Sequence, residues 1–149
     1  MAGRGSPLRC CGYGITAWNL IQMVDAALQP LFGKIPGLSG IFVASSDGGC
    51  LLRVLPTGST AGSSGVEPRA VSAFAFACAQ ARSIDFGALR TVTAFYERSV
   101  LLHIAAGFES SLVVTLAADI DTDTASMHAL VPAITELFAA LSPDGLVQT

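Results

Sequence analysis

The stretch Leu38–Leu55, LSGIFVASSDGGCLLRVL, decides the fold, because a strand, a reversal and a second strand can all be read in it from local chemistry. Ile41, Phe42 and Val43 lead into Ala44-Ser45-Ser46, Asp47-Gly48-Gly49 turns the chain, and Cys50, Leu51, Leu52, Val54 and Leu55 run back. Asp-Gly and Gly-Gly tolerate the positive φ that a twist-matched hairpin turn requires. Both strands are too apolar for burial on one side only. The hairpin is therefore expected inside a sheet covered on both faces, and the remaining chain must supply the cover.

Toward the N-terminus, residues 1–14 are Gly-rich, carry Pro7 and show no periodicity, which predicts a disordered tail. From Thr16 the pattern changes: Leu20, Val24, Ala27, Leu28, Leu31 and Ile35 recur at helical spacing, describing an amphipathic helix that Pro30 either ends or kinks. Beyond the hairpin, Pro56–Gly65 is all turn-formers and reads as a flexible loop. Glu67-Pro68 then open a helix through about Ser83. On it Val71, Phe74, Cys78 and Ala81 share one face, while Phe76 points roughly opposite to Phe74 and Ala70, Ala73 and Ala77 fill the side between. A helix apolar nearly all round is buried on more than one side. One side is the sheet; a second subunit is expected on the other.

Three strands follow, Leu89–Tyr96, Ser99–Ala106 and Ser111–Ala118, as an antiparallel meander. A last helix then runs to about Leu141, capped by Asp123 or Thr122, with Pro132 expected as a mild strain in its second or third turn. The order α-β-β-α-β-β-β-α predicts an α+β domain over residues 15–142, a five-stranded antiparallel sheet between helices in three α/β/α layers, followed by a tail over 143–149.

A chain of 149 residues suits one domain. With 52% hydrophobic and only 13% charged residues its surface is short of charge, so it lies either in a membrane or under partners. Asp25, Lys34, Arg53, Arg82, Glu97, Arg98, Glu109 and Asp119 interrupt every run that might span a bilayer, which leaves partners. A net charge of −3 and a pI near 5.1 argue against nucleic acid. Cys10, Cys11, Cys50 and Cys78 make no disulfide framework, so a reducing compartment is expected, and with no long apolar stretch in the first residues and Ala2 after Met1 neither a secretory signal nor myristoylation is expected. The adjacent Cys10-Cys11 pair has the chemistry for palmitate but no second lipid signal beside it.

Motifs for chemistry fail one by one. Asp119-Ile-Asp121-Thr-Asp123 opens like a calcium loop, but Thr124 stands where Gly is needed and Leu130 where the bidentate acid belongs; the carboxylates read as helix caps. The Gly58–Gly65 loop lacks the Lys-Ser/Thr of a phosphate cradle, and Gly37-Leu38-Ser39-Gly40 is not a nucleophile elbow. Cys50 or Cys78 with His103 or His128 would form a thiol dyad only through the fold. No catalytic, metal-binding or cofactor-binding residue is assigned.

Three stretches carry a family resemblance: Lys34-Ile35-Pro36 through Gly40-Ile41-Phe42-Val43 to Ser46-Asp47-Gly48; Phe95-Tyr96 with Val100-Leu101-Leu102; and Leu112-Val113-Val114 through Asp119 and Leu130 to Pro132 and Glu136-Leu137-Phe138. Together they cover about 28–141, and the chain resembles the roadblock/dynein light chain superfamily, closest to the mitogen-activated protein kinase (MAPK) scaffold subunits of Ragulator, the late endosomal/lysosomal adaptor. The resemblance implies a non-catalytic scaffold that pairs with a second roadblock domain through its middle helix and the next strand, joining two sheets into one. In this chain that surface would be Val71, Phe74, Phe76, Ala77, Gln80, Thr91, Val92 and Thr93. It further implies a cytoplasmic protein held at late endosomes or lysosomes by a membrane-anchored Ragulator subunit, presenting Rag GTPases in TOR signalling or kinase-pathway proteins. Two other expectations stay open: a homodimeric regulator of a small GTPase or a dynein-associated subunit, and an enzyme or small-molecule sensor on a profilin- or PAS-like sheet using Cys78 and His103.

Overall fold

Pro30 ends the first helix rather than kinking it. In the computed structural model, which describes residues 15–46, 49–57, 68–107 and 111–139, α1 runs Ile15–Leu28 and a separate turn of helix, α2, runs Leu31–Lys34. Pro30 has no N–H to donate, so the ladder stops, and the chain continues by tight bonds from Phe32 N–H to Gln29 O and from Gly33 N–H to Pro30 O. Gly37, at φ 92°, then swings the chain into β1, Leu38–Ser45, and its carbonyl accepts from Asp119 N–H at 3.1 Å.

The hairpin partner is β2, Cys50–Val54, paired antiparallel with β1 from Ile41↔Val54 to Ala44↔Cys50. Ser45 N–H donates to Gly49 O at 2.9 Å where the hairpin closes. Asp47 and Gly48 of the predicted turn lie outside the described residues, as do the predicted tails at 1–14 and 143–149 and nearly all of the 56–65 loop. After them come α3, Pro68–Ala81, a 3₁₀ turn at Arg82–Ile84, and the meander β3, Thr91–Phe95, β4, Ser99–Ala106, and β5, Leu112–Asp119. The last helical stretch is two pieces, α4, Thr124–Ala129, and α5, Val131–Phe138.

Asp123 caps α4, its carboxylate accepting from Ala125 N–H at 3.1 Å and from Ser126 Oγ at 2.7 Å, bonds that hold it below the usual carboxylate range. The expected strain at Pro132 is absent. The break at Leu130 places this proline in the first turn of α5, where a missing N–H costs nothing.

Strand order is β2-β1-β5-β4-β3, so the hairpin does not lie wholly inside the sheet: β1 is interior and β2 is an edge. The centre is β5, buried along seven of its eight residues because β1 and β4 flank it and helices cover both faces. Alternation then sorts the side chains. On one face Ile41, Val43, Leu102, Ile104, Val114 and Leu116 meet α1, α4 and α5 through Ile21, Val24, Leu28, Met127, Ile134 and Phe138. On the other, Ala44 and Val113 meet α3 through Val71 and Phe74. The three-layer α/β/α arrangement and the five-stranded antiparallel sheet are those expected.

Candidate partner interface

The helix α3 divides its expected interface residues between its two sides. Val71 and Phe74, each 3% exposed, turn inward onto the sheet. They pack this chain's own core and are not themselves open to a partner. Phe76, two residues on and so about 200° around the helix from Phe74, is 67% exposed; Ala77 is half-buried and Gln80 exposed beside it. An exposed phenylalanine on a helix whose other side is fully engaged is surface left apolar.

Beneath α3 lies a buried polar pair, His103 and Thr115. His103 Nδ1 and Thr115 Oγ1 are 2.8 Å apart, and the His103 ring stacks on Phe74 with centroids 5.4 Å apart and an 18° tilt. Burial disfavours the imidazolium and pushes His103 down to about 4, so the ring is neutral at physiological pH. Cys78 Sγ points to Leu89 O at 3.9 Å. His103 and Cys78, the candidates for an enzymatic reading, are thus engaged in holding α3 against the sheet. His128 is elsewhere, its Nε2 2.9 Å from Thr93 Oγ1 on the opposite face, and Cys50 is exposed. Among the described residues no group of three His, Cys, Asp or Glu side chains could hold a metal, and no helix is long and apolar enough to cross a membrane.

Past α3, further apolar residues that periodicity does not single out are exposed. After the 3₁₀ turn the chain passes through two left-handed residues, Asp85 at φ 58° and Gly87 at φ 87°, which flank Phe86 and turn it outward. Phe86 is 89% exposed and Ile84 also stands out. The sequence signal was there, large apolar residues set between turn-formers where no core helix or strand could use them.

The strand that follows, β3, is an edge of the sheet. Tyr96 N–H donates to Ser99 O and Ala105 N–H donates to Arg90 O, both at 2.8 Å, so the even-numbered residues turn their backbone groups toward β4. Those of Thr91, Thr93 and Phe95 face outward, where no described strand lies. The Thr93 side chain bonds α4, Val92 packs partly toward α3, and Phe95 and Tyr96 at the end of the strand are exposed. At the other end, Ala88–Arg90 and the α5 residues Val131, Pro132 and Glu136 border a groove of about 610 Å³. Thr91, Val92 and Thr93 are each half-buried.

Comparisons with known proteins bear on the family and the fold. A family model described as mitogen-activated protein kinase kinase 1 interacting matches residues 22–144. No curated protein sequence matches the chain. Among solved structures, the gliding protein MglB of Thermus thermophilus superposes with a TM-score of 0.62 at 10% identity, covering 88% of this chain and 95% of its own. A roadblock/LC7 domain from Streptomyces avermitilis gives 0.51 at 21% identity, covering 74% of this chain and 92% of its own. An MglB described with a tetrameric arrangement gives 0.58 at 10% identity, covering 87% and 96%. At such identities these structures speak for the fold, which is roadblock-like.

Proposed function

We propose that this chain, which belongs to the mitogen-activated protein kinase kinase 1 interacting family, is a non-catalytic scaffold subunit that pairs with a second roadblock domain through the outer side of α3 and the open edge of β3. The observation that carries this is the division of α3: Val71 and Phe74 are spent on its own sheet, whereas Phe76, Ile84 and Phe86 remain exposed and β3 keeps one open edge. The non-catalytic part is supported by His103 and Cys78, whose contacts are structural.

The setting in this reading is a Ragulator-like complex at late endosomes or lysosomes, in which a membrane-anchored subunit holds the pair and the pair presents Rag-type GTPases or kinase-pathway proteins to TOR and MAPK signalling. Its support is the family together with the shortage of surface charge, 13% over the chain, which asks for partners. A homomeric regulator of a small GTPase keeps the same surface and changes only what covers it; the tetrameric arrangement described for one MglB favours that second reading.

Phe76→Asp tests the surface. Tagged chain purified from native extract should lose a co-purifying roadblock protein, while its own far-ultraviolet circular dichroism stays unchanged. Complex recovered in undiminished yield would remove α3 from the interface.

A further inference from the structure

We propose that the groove along α5 is the seat of this chain's own C-terminal segment: residues 142–145 reverse the chain, and Leu146 and Val147 lie back against Thr135 and Ala139. The groove, about 610 Å³, separates α5 from the chain that leads into β3. Its α5 wall is Val131, Pro132, Thr135, Glu136 and Ala139. These recur at three- and four-residue spacing and so share one side of the helix. Ile134 and Phe138, on another side, are spent on the core, whereas Pro132, Thr135 and Ala139 stay exposed. Opposite them lie Leu89 and the end of β4 from Ile104 to Gly107. α5 therefore has a second side shaped for contact.

The position of that side selects the occupant. Ala139 is both the C-cap of α5 and a wall of the groove, so the chain leaves the helix at the groove's rim. Ser142-Pro143-Asp144-Gly145 then places the preferred residues of a type I turn in order, Ser first, Pro second and Gly fourth. Leu146 and Val147 come directly after it, two apolar residues that gain by leaving water. The distances agree. In the proposed path one further turn of helix to Ser142 climbs about 4.5 Å past Ala139. Two residues returning at roughly 3.3 Å each bring Leu146 and Val147 level with Thr135 and Ala139. A segment tethered this close meets the groove at an effective concentration of millimolar order, an advantage no free peptide shares. A groove closed by the chain itself adds nothing to the surface offered to a partner, which leaves pairing to α3 and the edge of β3.

Thiol protection reads the contact. In a full-length chain with its four cysteines replaced by Ser, Thr135→Cys should react with an aromatic disulfide reagent about tenfold more slowly than the same thiol in a chain that also carries Leu146→Asp and Val147→Asp. Leu137→Cys, exposed on α5 but outside the groove, should react at one rate in both chains, and circular dichroism should not distinguish them. Should the cysteine-free chain fail to fold, nuclear magnetic resonance on the native chain gives the same decision. Through-space contacts are expected from the Leu146 methyls to the Thr135 methyl, and they should persist within single labelled molecules diluted in unlabelled ones.

Equal thiol rates at Thr135, Leu146 methyls with no contact to α5, or contacts found only between molecules would each overturn the inference. The pairing proposed above is decided separately by Phe76→Asp, which should leave the protection at Thr135 unchanged. Loss of protection in that variant would tie the groove to a partner and remove the intramolecular occupant.

Discussion

On one face of the sheet Ile41, Val43, Leu102, Ile104, Val114 and Leu116 meet α1, α4 and α5 in an apolar layer; on the other, α3 lies over a smaller apolar patch, Ala44 and Val113, with the polar pair His103 and Thr115 on the same face. The helices of the first layer turn most of their large apolar residues inward, with Met23 of α1 and Leu137 of α5 left exposed. The second is thin, holds a polar pair at its centre and leaves Phe76 on the outside. Apolar burial is concentrated on one face, while the helix on the other keeps an exposed aromatic, so the fold does not depend on covering it.

The largest effect that would break this contrast is expected at the covered face. Phe138 is fully buried among α1, α5 and the sheet, so Phe138→Ala should cost about 3–5 kcal/mol in urea unfolding through lost transfer and the cavity left behind. A loss below about 1 kcal/mol would show that this face is not the stabilising one. The α3 face has its own signature, in pH. His103 titrates near the ordinary 6.5 when unfolded and at about 4 when folded, so as pH falls from 6.5 the unfolded chain binds a proton that the folded chain refuses. Stability is therefore full above 6.5, declines between 6.5 and 4 and levels off below, by about 3 kcal/mol at most. His103→Phe should flatten that part of the profile; an unchanged slope would remove His103 as its source.

A smaller effect is expected at Gly40, where the Phe42 ring lies back across the backbone. A Cβ there would come within 2.9 Å of two ring atoms, and the ring also carries the Arg53 guanidinium 5.7 Å from its centroid. Gly40→Ala should cost about 1–3 kcal/mol by forcing the ring aside. A neutral result would mean that Phe42 has room to move.

How much of this was legible follows from the range of the interactions involved. Asp123 as a cap, β4 at Ser99–Ala106 and the opposition of Phe74 and Phe76 all depend on neighbours within a few residues, and their periodicity was readable. The strand order was not, because β5 enters between β1 and β4 by pairings such as Ile41↔Leu116 that no local pattern encodes, and so the hairpin looked more central than it is. His103 alternates like its apolar neighbours in β4, and only the closeness of Thr115 and Phe74 shows why a histidine is tolerated there. A helix apolar on all sides does not say which side meets its own sheet, so the sequence alone does not separate Val71 and Phe74, which turn inward, from Phe76, which does not. Phe86 was missed since it belongs to no periodic element.

The smallest expected effect on stability is the one that sharpens the contrast most. Phe76 is two-thirds exposed in the single chain, so a carboxylate at that position is solvated in the folded and unfolded states alike, and Phe76→Asp should change the free energy of unfolding by no more than about 0.5 kcal/mol. In the proposed pair the same carboxylate would have to leave water, and that desolvation is costly. Binding should then collapse while folding is untouched. Phe74→Asp, two residues away, should do the reverse in order of cause, unfolding the α3 layer first by burying a charge against His103 and Val113 and losing the partner only as a consequence. Urea unfolding and partner capture measured on both variants separate the two sides of α3. If Phe76→Asp destabilises the isolated chain as much as Phe74→Asp does, then its ring is held by this chain rather than kept for another, and the division of labour between the two faces is lost.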